Sequence, residues 1–300
     1  MRTYYAHSTE KADKSDWQPL SDHLLNVAKL AEYFADTFNA GRWGKYAGLM
    51  HDAGKATEAF IGRLEGISKR VDHSTFGARL ARDKTGKLGL LLSYVIAGHH
   101  GGLPDGGNQE TELHFRLKNK KIPCDIELLP EVTIKDDLVL PFKLSKERSV
   151  FSLSLFTRMI FSCLVDADFL DTEAFCSPQQ ANCRPKNMAA GVFEKLNKRL
   201  DLFLKEKIQR VDHTPVNVLR QAILVQCKEK AKLPQQIFSL TVPTGGGKTF
   251  SSMAFALEHA VTHNMQRVIY AIPFTSIIEQ NAKVFQEALG QEYVLEHHCN

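Results

Sequence analysis

No Cys-x-x-Cys pair occurs in the sequence, although six cysteines stand at positions 124, 163, 176, 183, 227 and 299. That spacing argues against a thiolate zinc site, and scattered cysteines in a chain of this length read as reduced and mostly buried. Long apolar runs are lacking too. Nearly apolar stretches such as 88–97 reach only about ten residues, half of what crosses a bilayer. Residues 1–20 are mostly polar, with no charged-then-apolar leader. These absences predict a cytoplasmic protein with no membrane partner. There is no internal repeat and no low-complexity tract. What remains is an ordinary globular balance, 43% apolar and 24% charged over 300 residues. It excludes collagen-like, coiled-coil and disordered chains and suits about two domains.

Charge is unevenly placed. The net is +4, yet residues 186–232 alone hold 11 Lys or Arg against 5 Asp or Glu. That stretch reads either as a surface that meets phosphates or as a solvated helix face.

Periodicity makes the first 170 residues mostly helical. An amphipathic helix is expected over 20–38, with Ser21 as N-cap and Leu24, Val27, Ala31, Phe34 and Phe38 at helical spacing. Further helices are expected over 45–53, 73–83, 88–98 and 149–170, the last nearly all apolar. Residues 102–148, with four prolines, read as loops, short strands or an inserted lobe. The texture changes after Pro185, and a boundary is expected within 185–215. A basic helix over 187–210 and another from Pro215 precede a strand at Ile237–Val242, a Gly-rich loop, a helix at Ser251–His263, a strand at Val268–Ile272 and a helix from Thr275. That order is α/β with a parallel sheet.

Histidine is the informative residue, with 12 in the chain. His51 and Asp52 are adjacent in a small-residue helix and offer nitrogen and oxygen ligands to one point. His99 and His100 follow a buried helix, and Asp166 and Asp168 lie toward the end of the apolar one. Buried carboxylates are costly unless paired or metal-bound. His23 or His73 alone reads equally as a core or helix-end histidine. Together the set suits two divalent transition metals of the kind that clamp a phosphodiester.

The ordered set His23, His51-Asp52-x-Gly-Lys55, His73, His99-His100-Gly and Ala-Asp168 resembles the HD-type metal-dependent phosphohydrolase superfamily. The third His and the tandem pair resemble its nuclease branch, in the CRISPR-associated nuclease–helicases of type I systems. The resemblance covers roughly 7–175. It implies that His23, His51, Asp52 and Asp168 hold one metal and that Asp52, His73, His99 and His100 hold the second, with Asp52 bridging. It also implies that Lys55 neutralises phosphate charge. Asp168, followed by Phe169, matches the family pattern; Asp166 is a reserve ligand, and Thr172 fills the family's hydroxyl position. His7 stands outside the constellation, so His7→Ala is expected to be almost silent.

The segment Thr241-Val-Pro-Thr-Gly-Gly-Gly-Lys-Thr249 predicts a phosphate loop. Gly245, Gly246 and Gly247 would bring backbone N–H groups to a triphosphate, Lys248 would reach the outer phosphates, and Thr249 would bind Mg²⁺. Val242 replaces the first glycine of the stricter form. The Pro-Thr-Gly-x-Gly-Lys-Thr core resembles superfamily 2 helicases. Residues 216–221 resemble their adenine-sensing segment, with Gln221 as the sensor, and residues 270–280 resemble a motif that touches the nucleic-acid backbone. No Asp-Glu-x-His box follows, so the chain is expected to be a truncated piece of a longer motor.

The resulting expectation is a mainly α HD-type phosphohydrolase domain over 1–205, followed by a partial α/β RecA-like helicase domain over 206–300. The implied activity is metal-dependent cleavage of single-stranded DNA, fed in the full-length protein by ATP-driven translocation and recruited by an RNA-guided CRISPR surveillance complex in antiviral defence. The implied cofactors are two divalent ions (Fe, Mn, Co, Ni or Mg), with ATP and Mg²⁺ for the motor. An HD phosphohydrolase acting on nucleotides and a non-catalytic nucleotide-binding module are the alternatives.

Overall fold

The computed structural model describes residues 2–11, 13–67, 71–123, 125–132, 137–183 and 191–298. Cys124 and Cys299 lie outside them, as do residues 187–190 of the helix expected over 187–210. The chain divides into two compact units, Met1–Arg184 and Pro185–Asn300.

In the first unit a short antiparallel pair, β1 (Tyr5–His7) with β2 (Gln18–Pro19), leads into eight α-helices among the described residues. These are α1 (Leu20–Asp36), α2 (Gly41–Met50), α3 (Glu58–Leu64), α4 (Ser74–Lys84), α5 (Gly89–Gly98), α6 (Leu113–Lys118), α7 (Ser149–Cys176) and α8 (Pro178–Cys183). Helix α1 starts one residue before the expected Ser21 cap, whose hydroxyl turns to Asp22 instead. No strand forms within the described part of 102–148. The chain there holds α6, a single 3₁₀ turn and irregular backbone.

Leu20, Leu24, Val27, Ala28, Ala31 and Ala35 share the buried face of α1, and His23 lies among them with no exposure. Helix α2 meets that face through its glycines. A Cβ at Gly48 would fall inside the van der Waals shell of the Ala28 backbone. The close crossing brings the end of α2, and so His51, beside His23. Helices α4, α5 and α7 complete one core that includes Met50, Leu92, Ile96, Ile160 and Leu164. Gly48→Ala is expected to part α1 from α2, costing about 1–3 kcal/mol of overpacking. Thermal melting and metal titration of that variant should both fall; an unchanged melting temperature would contradict the close crossing.

Helix α7 corrects one expectation. By length and composition it is apolar enough to cross a bilayer, with mean hydropathy 1.5 over 18 residues. Counting unbroken apolar residues missed it, because Ser154, Thr157 and Arg158 interrupt the run without lowering its average much. Its face of Phe156, Ile160, Cys163, Leu164 and Ala167 is buried in the first core.

The second unit holds α9 (Val192–Gln209), α10 (Pro215–Lys230), α11 (Lys248–Thr262) and α12 (Thr275–Leu289). Leu196, Leu200 and Leu204 of α9 pack with Met253, Ala254, Leu257, Phe285 and Leu289. Helix α9 therefore belongs to this unit along its whole described length, across the expected division at 205–206. The expected parallel sheet is absent among the described residues: Ile237–Val242 and Val268–Ile272 form no ladder. A strand takes its backbone partners from neighbours, and two isolated segments make too small a sheet. Ile237 and Ile269 are accordingly 99% and 79% exposed.

Candidate metal centre

Four local structures place the donors. His51 caps the C-terminus of α2, and Asp52 begins a 3₁₀ turn, Ala53–Lys55, rather than lying inside the helix. Gly54 allows that turn to press on the chain at His73, since a Cβ there would strike the His73 carbonyl oxygen. His73 precedes α4, His99 and His100 end α5, and Asp168 projects from α7.

The two carboxylate oxygens of Asp52 face two different clusters. Oδ2 lies 3.3 Å from His23 Nε2 and 3.3 Å from His51 Nε2, with Asp168 Oδ1 3.4 Å from His23 Nε2. Oδ1 lies 3.2 Å from His73 Nε2 and 3.4 Å from His99 Nε2. His100 Nε2 is 2.8 Å from His73 Nε2. Two groups, His23–His51–Asp52–Asp168 and Asp52–His73–His99–His100, each have candidate ligand atoms within 4.8 Å of one another. All seven residues expected as ligands are thus brought together, though not all are buried: His100 is exposed and Asp168 partly so. Asp166 belongs to neither group.

The histidines are held from behind. His51 Nδ1 donates to Gly48 O and His99 Nδ1 to Ile96 O, each at 2.7 Å, and His73 Nδ1 to Val71 O at 3.3 Å. A carbonyl only accepts, so a proton sits on each Nδ1, and each inward-facing Nε2 offers a lone pair to a cation once it is free of its own proton. The Nε2 atoms of His23, His51 and His99 and Asp52 Oδ1 are buried without a hydrogen-bond partner. Buried polar atoms are rarely left so. Imidazole nitrogens and carboxylate oxygens converging on two points fit divalent cations.

Electrostatics separate the two sides. Burial opposes a charge on His23, yet Asp168, Asp171 and Asp52 push its pKa up to about 10. At His51 burial is again opposed, mainly by Asp52 and Asp168, and the pKa rises to about 9. Burial, reinforced by Lys55 and the neighbouring imidazoles, lowers His73 to about 3; partial loss of water around its ring, with His99 beside it, lowers His100 to about 4 although the residue as a whole is exposed. Asp52 stays ionised despite burial because Lys55, His51 and His73 hold it far below the carboxylate range. Lys55, only 5% exposed, keeps its Nζ 2.6 Å from Asp52 Oδ2. An ammonium therefore already sits against the shared carboxylate.

Two nearby residues were missed from sequence. Asp171 lies one turn beyond Asp168 and bonds His23. His7 corrects the expectation that it stands apart: its ring packs edge-on to His23 at 5.1 Å and its Nε2 is 3.2 Å from Thr172 Oγ1. The β1–β2 pair carries it there, a contact across 165 residues that no local spacing announces.

In the second unit, Gly245 and Gly247 have φ of +84° and +82°, and Lys248 opens α11. Arg220 Nε donates to Gly245 O at 2.7 Å. Gln221 and Gly247, with Leu224 and Phe250, line a cavity of about 220 Å³.

The HD domain model matches residues 20–126. The CRISPR-associated nuclease/helicase Cas3 of Haloferax volcanii is 22% identical over 80% of this chain and 32% of its own length. The chain thus spans about a third of that curated relative. Two crystal structures of T. fusca Cas3, one titled Cas3-ATP, align at TM-score 0.47 and 15% identity. They cover 98% and 96% of this chain and 38% and 37% of theirs. Residues 20–126 thus match the HD domain, in a chain similar over most of its length to a CRISPR-associated nuclease/helicase.

Proposed function

We propose that the first unit is a two-metal nuclease that cleaves single-stranded DNA. The observation that carries this reading is the Asp52 carboxylate, whose two oxygens serve two separate clusters of inward-facing imidazoles. His23, His51, Asp52 and Asp168 would hold one cation; Asp52, His73, His99 and His100 would hold the other. Two divalent ions supply an activated water and a clamp for the charge that develops at phosphorus. The chain's own residues do the rest. With metal bound, the carbonyl-tethered imidazoles would be neutral and fixed, the shared carboxylate would set the spacing, and Lys55 would offer a positive charge to a phosphate oxygen. The exposed edge at His100 would admit the strand. A helix-lined pocket takes a flexible single strand more readily than a stiff duplex.

The second unit would start an ATP-driven motor in a longer protein. Its loop at Gly245, Gly246, Gly247, Lys248 and Thr249 would hold the phosphates, and Gln221 the base. Recruitment by an RNA-guided surveillance complex in the cytoplasm is what the family resemblance alone implies. The test is cleavage by this chain of single-stranded DNA, duplex DNA and mononucleotides with Mn²⁺, Co²⁺ or Ni²⁺ and no ATP. Metal-dependent cutting of the single strand is expected. Turnover of mononucleotides alone would make the domain a nucleotide phosphohydrolase instead. A preparation that binds no metal would leave the histidines structural.

Lys55→Ala should move two readouts in opposite directions. Metal should bind at least as tightly, because a competing cation is gone from Asp52 Oδ2. Cleavage should fall about 10²–10³-fold through loss of a charge aimed at the phosphate. Parallel metal titration and nuclease assays check both; a loss of metal would instead make Lys55 part of the scaffold.

A further inference from the structure

We propose that Asp171 is a positioning residue that makes the His23 side of the centre the tighter of its two cation sites. This rests on the two-metal reading above. Asp171 is 7% exposed, on the same face of α7 as Asp168 and one turn beyond it. Its Oδ2 accepts from His23 Nδ1 at 2.7 Å and from Gln18 Nε2 at 2.8 Å. Gln18 itself is buried in β2, so the carboxylate is fixed from two sides and fixes His23 in turn.

The backing of His23 differs in kind from that of the others. His51, His99 and His73 lean on backbone carbonyls, which are neutral. His23 leans on a full negative charge. A carboxylate behind an imidazole locks the Nδ1–H tautomer and makes Nε2 a stronger donor to a metal. The ionic count points the same way. Asp52, Asp168 and Asp171 gather around the His23 and His51 pair against the one ammonium of Lys55, a net of two negative charges, whereas among the described residues the three imidazoles on the other side share only Asp52. The exposure of His100 adds to the contrast, since that side is open to water. The chain thus loads the His23 side first, and the second cation occupies its site only at higher concentration.

The experiment is calorimetric titration of Mn²⁺ into the metal-free 300-residue chain and into Asp171→Ala and Asp171→Asn. Melting of each protein without metal checks that it is folded. The wild type should take two equivalents with separate affinities. Asp171→Ala should weaken the tighter one about 10–100-fold, the usual cost of losing an outer partner, and leave the weaker one where it was. Asp171→Asn, whose amide oxygen still accepts from Nδ1–H without the charge, should fall between them. It carries the test if the alanine variant does not fold. Equal weakening of both sites, or an unchanged tight site in a folded variant, would overturn the role of Asp171. A wild type that takes up no metal would overturn the centre itself, and that result is separate because it is read before any substitution.

Discussion

Asp52→Ala is expected to abolish the proposed cleavage of single-stranded DNA and to strip both cations from the centre. Among the described residues no other side chain offers an oxygen to each of the two imidazole clusters. Its loss should therefore exceed the roughly 10–100-fold expected for an outer partner. Asp52→Asn keeps the size and so controls for lost volume; both variants leave the buried Lys55 ammonium uncompensated, so thermal melting checks that each is folded. Both variants should be inactive, and metal content by mass spectrometry should drop in both. Wild-type cutting by either would remove the bridging carboxylate from the mechanism.

Chelation should lower the melting temperature, and the drop should depend on pH. Cations that bind only the folded state stabilise it by about 2.7 kcal/mol at a hundredfold excess over Kd. For a unit of this size that is roughly 5–11 °C. Without metal, His23 and His51 compensate the buried carboxylates with protons, their pKa values raised from 6.5 to about 10 and about 9. A raised folded pKa stabilises fully below the unfolded value and is lost as pH climbs through the folded one. The metal-free protein should therefore melt progressively lower between pH 6.5 and 10. Metal takes the place of those protons and binds better as they leave. The gap between loaded and chelated protein should widen over the same range. Scanning calorimetry at several pH values, with and without chelator, measures it. A gap that is constant or narrows with rising pH would mean that the cation does not compete with protons at His23 and His51.

The helical unit was readable because its evidence is periodic. Leu24, Val27 and Ala31 repeat at helical spacing, and all are buried. His51-Asp52 and His99-His100 were readable because each pair occupies one turn. Asp171 was not singled out, although a second acid three residues after Asp168 on an otherwise apolar helix face was a usable cue. His7 had no cue at all, since only a tertiary contact places it. The apolar runs at 237–242 and 268–272 failed for a different reason. Composition marks a segment that could pair, but the ladder depends on neighbours that local sequence does not describe. Helix α7 shows the reverse case: its average hydropathy satisfies a bilayer test, while one of its faces lies in the core and carries Asp168 to the metal centre.

The carbonyls behind His51 and His99 each belong to a residue three positions earlier in the same helix. The aim of these imidazoles is therefore a property of a single turn and survives as long as that turn does. Motion between helices would change how far apart the donors lie without turning any of them away. Disassembly of the centre should then be a collective event, in which intact donor pairs separate as rigid pieces. Release of the ions would report the opening of the whole helical unit, and the kinetics of metal exchange would serve as a clock for that breathing.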